Sequence, residues 1–166
     1  SIAAVPALSE HGYKTVFRNF PTGPMIAWDS FGLQKTLFQT TGKTPQTVVM
    51  LHVNDTFGVS QRNANVNLAP KFQMPYKFLD TIAYDPAARD LSAEVRKAKA
   101  TNADMLWVVS RLNDAILLCQ ELVKQRWEPM GIISSGPGWY EVPFMKALGK
   151  FSDDVVSTVS ASGISS

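Results

Sequence analysis

Short apolar runs alternate along this chain with longer stretches whose apolar residues recur at helical spacing. The clearest run is Thr47-Val-Val-Met-Leu-His-Val53, β-branched and apolar in the manner of a strand covered on both faces. Similar runs predict strands over 13–18, 77–84, 105–109, 130–133 and 155–159. A helix is expected from near Pro24 to about Thr40, with Gly42 as its stop signal. A second runs from about Phe57 to Ala69 and ends at Pro70. Asp90 is placed to cap a short helix carrying Leu91, Val95 and Ala98 on one face. Leu112, Ile116, Cys119, Val123 and Trp127 mark the strongest helical periodicity, and another short helix is expected near 142–148.

Parallel strands need crossovers, so this order predicts an α/β fold: a three-layer, doubly wound, mostly parallel, Rossmann-like sheet. In such sheets ligands sit outside the carboxyl ends of the strands. Function is therefore sought in the loops at 18–23, 54–58, 110–114 and 134–140.

The bulk numbers narrow the classes. At 166 residues and 45% hydrophobic content, the chain holds one domain with a sizeable core. The formal charge of +2 comes from basic residues scattered among acidic ones, which gives no reason to invoke nucleic acid or an anionic membrane. No run approaches the roughly 18 apolar residues that span a bilayer. A single cysteine forms no internal disulfide and leaves the redox compartment open. Both ends, Ser1-Ile-Ala-Ala-Val-Pro6 and Ser160-Ala-Ser-Gly-Ile-Ser-Ser166, read as cut, so a missing leader says nothing about export.

Chemistry that needs a cluster finds none here. His11 and His52 lack companions at ligand spacing, and His52 sits inside an apolar strand, so no metal is expected. Cys119 falls on an apolar helical stripe and reads as a small buried hydrophobe. Ser134 and Ser135 precede Gly136-Pro-Gly138, which reads as a turn after a strand and not as a nucleophile elbow. No Gly-x-Gly-x-x-Gly or Gly-Lys-Ser/Thr is present, so no nucleotide cofactor is implied, and the chain is read as a non-enzyme.

Strand-end residues are the better candidates. Asp114 stands at a strand-to-helix junction, where it either caps the helix or meets a cationic ligand group, or both, a capping carboxylate keeping a second oxygen free. Arg111 is either a solvated charge or a carboxylate clamp. Phe57 either closes the top of the core or walls a cleft, with Gly58 letting the backbone pass close to a ligand. Asn19 lies in the loop after the first strand, and Trp139 and Tyr140 follow the fifth. Aromatic walls with few polar anchors make a small-molecule site.

Tyr13-Lys-Thr-Val-Phe-Arg18 resembles the strand opening the second lobe of type I periplasmic solute-binding proteins, the branched-chain amino-acid receptors of ABC transporters. Asn54-Asp-Thr-Phe-Gly58, Asp85-Pro-Ala-Ala-Arg-Asp-Leu-Ser-Ala93, Asn102-Ala-Asp-Met-Leu-Trp107, Asp114-Ala-Ile-Leu-Leu-Cys-Gln-Glu-Leu122 and Phe151-Ser-Asp-Asp-Val155 follow in the family's order. The resemblance spans about residues 8–160.

It implies a periplasmic or lipid-anchored extracellular receptor of two lobes that closes on a solute and delivers it to a membrane permease. Residues 1–10 would cross from a missing first lobe, 11–160 would form the solute-binding lobe, and 161–166 a tail. By position, Asp114 resembles the family's ammonium-contacting acid and Phe57 its post-strand aromatic residue, often Tyr. Arg111 is larger and more charged than the family pattern, leaving open a branched-chain or other amino acid, or an aromatic acid. An effector domain of a regulator, a small hydrolase-like enzyme and a self-associating lobe are the alternatives.

Overall fold

The computed structural model describes residues 23–135 and the backbone strand Val155–Thr158. The elements in chain order are α1 (Gly23–Thr41), β1 (Thr47–Val53), α2 (Thr56–Leu68), β2 (Lys77–Tyr84), α3 (Ser92–Ala100), β3 (Met105–Val109), α4 (Leu112–Lys124), β4 (Gly131–Ser135) and β5 (Val155–Thr158). All strand pairs are parallel, in the spatial order β2-β1-β3-β4-β5. The fold is therefore the doubly wound α/β sheet expected. The predicted strand at 13–18 and helix at 142–148 lie outside the described residues.

Alternation along β1 builds two cores. Val49, Leu51 and Val53 face α3 and α4, joining Val95, Leu106, Val108, Leu118 and Leu122. Val48 and Met50 face α1 and α2, joining Phe31, Trp107 and Ile133. Every β3 residue is buried, as a strand covered on both faces must be. Gly42 ends α1 at φ +66°, and its N–H donates to the Phe38 carbonyl at 3.0 Å, the backbone geometry that favours glycine.

Three local expectations need correcting. The buried face of α4 is Ala115, Leu118, Cys119 and Leu122; Val123 is 46% exposed, and Trp127 lies beyond the helix. Ser134 and Ser135 are buried strand residues and not a turn, and the Trp107 indole donates to Ser135 Oγ at 2.9 Å. Asp90 accepts from the Ser92 N–H at 2.7 Å, but Leu91 is the residue at the N-cap of α3.

The amino-terminal end of the sheet is fastened separately. Asp104 accepts from the N–H groups of Gln46 and Thr47, and its own N–H donates to Thr47 Oγ1. This ties the entries to β1 and β3 together at that end.

Candidate functional site

Strand order 2-1-3 places the crossovers that follow β1 and β3 on opposite faces of the sheet, which opens a crevice between the carboxyl ends of β1 and β3. Two helices start there. Asp55 caps α2, its Oδ1 accepting from the Gly58 N–H at 2.8 Å. Asp114, in the first turn of α4, reaches back to accept from the Arg111 N–H at 2.9 Å. Each carboxylate also faces a positive helix end.

The two rims meet across the crevice. Arg111 Nη2 lies 2.6 Å from Asp55 Oδ2, and the guanidinium carbon sits 5.5 Å from the centre of the Phe57 ring. Phe57 packs against both cores, so it does close the top of the sheet, and it also carries the cation. Gly58 has a different role from the one expected. A Cβ built on it would lie 1.8 Å from the Val53 carbonyl oxygen, so the close approach is between the start of α2 and the end of β1.

Tyr84, at the end of β2, completes the arrangement and is the residue that local sequence reading missed. Its hydroxyl lies 2.5 Å from Asp114 Oδ2 and 3.1 Å from the Val109 carbonyl. Burial, and then the Asp114 charge, push the phenol far above its ordinary range, so it remains a donor. The second oxygen of Asp114, expected to be free, is thus in use. Replacing Tyr84 with Phe is expected to cost about 1–3 kcal/mol, because the buried Val109 carbonyl and the part-buried Asp114 carboxylate lose the donor they share. Urea unfolding measures this, and an unchanged midpoint would mean water replaces the hydroxyl without loss.

Two clefts open at this rim. One of about 390 Å³ is lined by Val53, Pro86, Ala88, Arg111, Leu112, Asn113, Asp114 and Leu117. A larger one, about 740 Å³, begins at Asn54, Asp55 and Thr56 and runs along α2 past Val59, Ser60 and Asn63 to Pro24. The Asp55–Arg111 pair joins a wall of one to a wall of the other. Of the expected site residues, Phe57, Arg111 and Asp114 come together; Asn19, Trp139 and Tyr140 lie outside the described residues.

His52 is 5% exposed, with Nδ1 3.2 Å from the Val53 carbonyl. Burial lowers its pKa below the ordinary 6.5, outweighing the carbonyl contact that raises it. Folding therefore favours the neutral ring, and stability present above the unfolded value is lost as pH falls through the lowered folded one. Denaturant midpoints of the wild type are expected to drop between about pH 7 and 5, and those of His52→Gln to stay flatter. Parallel curves for the two proteins would refute this role. Asp104 is held below its usual range by the Gln46 N–H bond first, so its loss belongs to a separate, more acidic window. Cys119 is buried, and burial pushes its thiol up to about 12, so it is an unreactive hydrophobe.

Among the described residues no cluster of His, Cys, Asp and Glu could hold a metal ion. Among them, too, no helix is long and apolar enough to cross a membrane. No protein-family profile and no curated protein matches this sequence. Solved structures do. A type 1 periplasmic binding protein from Bordetella pertussis superposes with a TM-score of 0.68 at 16% identity, over 83% of this chain and 34% of that one. The fold is that of a type I periplasmic-binding-protein lobe. A leucine-binding protein from Thermotoga maritima matches at TM-score 0.65 and 15% identity, over 86% of this chain and 38% of its own. A fatty-acid ABC-transporter substrate-binding protein from Thermomonospora curvata matches at 0.65 and 14%, over 82% and 34%. The chain spans about a third of the length of these structures.

Proposed function

We propose that this chain is the solute-binding lobe of a two-lobed receptor for an ABC transporter, taking an amino acid or similar small organic acid into an interlobe cleft. The observation that carries the reading is the meeting of rims 54–58 and 110–114 at the sheet's carboxyl end, which gathers Asp55, Phe57, Arg111 and Asp114 beside two clefts. The likeness to receptors named for leucine and for fatty acids supports a binding role. On this reading residues 1–10 lead from the other lobe, and the protein works at the periplasmic or extracellular side with a membrane permease.

Binding here needs no bond making. The first lobe would approach the same rim, the solute would lie between the two, and closure would trap it. Ligand free energy shifts the open–closed equilibrium, and the permease reads the closed form. A lobe tested alone forfeits about half the contacts, and affinity falls tenfold per roughly 1.4 kcal/mol lost.

A thermal-shift panel of amino acids and organic acids on the two-lobed parent tests the proposal. A ligand at about a hundred times its Kd stabilises by about 2.7 kcal/mol, a clear rise in Tm. Arg111→Gln is expected to shrink that rise without unfolding the protein. A panel in which no compound raises Tm counts against it.

A further inference from the structure

Asp114 is the residue a ligand ammonium would seek, yet each of its oxygens already accepts one hydrogen bond within the chain, from the Arg111 N–H and from the Tyr84 hydroxyl, which leaves a ligand only its remaining lone pairs. Arg111 presents the opposite case. Its side chain is 50% exposed, its guanidinium rests against Phe57, and it carries a planar fork of five N–H donors. Among the described residues a single carboxylate oxygen, Asp55 Oδ2, pairs with it. The guanidinium side of this pair meets solvent, and ion pairs screened by water contribute little. Asp55 itself cannot follow Arg111, because its other oxygen caps α2.

We propose that Arg111 is the specificity-determining receptor for a ligand carboxylate, and that Asp55 is a built-in competitor that the ligand displaces. The inference rests on the solute-binding reading above and narrows it to a class: carboxylates with an apolar body, for which an α-ammonium is dispensable. The body lies against Val53, Ala88, Leu112 and Leu117 of the smaller cleft, whose remaining walls include Arg111 itself and Asp114, the latter held by the Tyr84 hydroxyl. Phe57 holds the guanidinium while its partner changes. An incoming carboxylate takes up the fork bidentately, where Asp55 offers one oxygen.

Shape-matched compounds separate the charges. The 166-residue chain, ¹⁵N-labelled, is titrated to millimolar levels with isocaproate, isoamylamine, leucine, benzoate and benzylamine. At least one acid is expected to shift amides of 53–58, 84–88 and 109–117, with its matching amine about tenfold weaker or worse. Leucine is expected to bind no tighter than isocaproate. Asp55→Asn keeps an oxygen for the Gly58 N–H while removing the competing charge, and is expected to tighten acid binding about tenfold. Arg111→Gln should erase the acid–amine difference. Amines binding as well as acids, leucine exceeding isocaproate more than about tenfold, or Asp55→Asn weakening the acids would each overturn the proposal while leaving solute binding intact. A well-dispersed spectrum with no rim shift for any compound overturns the proposal, while the solute-binding reading stands or falls on the thermal-shift panel of the two-lobed parent, where all the contacts are present.

Discussion

Replacing Trp107 with alanine is expected to cost about 3–5 kcal/mol, one of the two largest losses any single change should cause in this chain. Trp107 is fully buried at the centre of the sheet and meets Phe31 at 5.8 Å and Phe78 at 5.9 Å between ring centres. Alanine leaves a cavity that β3, covered on both faces, cannot collapse into. It also strips Ser135 Oγ of the indole donor. For a chain of 166 residues the melting temperature should fall by roughly 10 °C. Trp107→Phe keeps most of the ring contacts and loses the donor, so its cost should be clearly smaller. Equal losses for the two variants would mean the hydrogen bond, and not ring volume, holds this layer together.

Gly58→Ala is expected to cost about 3 kcal/mol, with a functional loss attached. The added Cβ meets backbone, the Val53 carbonyl, and no rotamer change relieves that contact. The first turn of α2 must move off the end of β1, carrying Asp55 and Phe57 with it. Arg111 then loses the aromatic support that holds its guanidinium at the rim. Chemical denaturation and ligand titration on one sample should show both losses. A variant as stable as the wild type would mean the rim is loosely seated, and its geometry could not then specify a ligand.

The elements were largely readable from sequence because their boundaries are chemical. The β1 and β3 runs are apolar, β2 mixes apolar and polar positions, and the limits of all three match the structure. The face of α4 was misjudged because the middle of the helix is continuously apolar. Its run Ala115-Ile-Leu-Leu-Cys119 offers several stripes, and only packing on the sheet selects Ala115, Leu118, Cys119 and Leu122. Ser134 and Ser135 read as a turn because the indole that satisfies Ser135 lies 28 residues away.

The site was half legible for the same reason. Asp114, Arg111 and Phe57 stood out as charged or aromatic residues just past strands. Their partners did not. Tyr84 is 30 residues from Asp114, and nothing local marks the last residue of a strand as the donor to a carboxylate elsewhere. Asp55 read as part of a loop, while in the fold it caps one helix and pairs with the start of another.

The most direct measurement is amide hydrogen exchange, with and without whichever compound most raises Tm in the amino-acid and organic-acid panel. Protection confined to 53–58, 84–88 and 109–117, with Gln46, Thr47 and Asp104 at the other end of the sheet unchanged, is what a ligand held at this rim requires. Protection centred on that opposite end would contradict it.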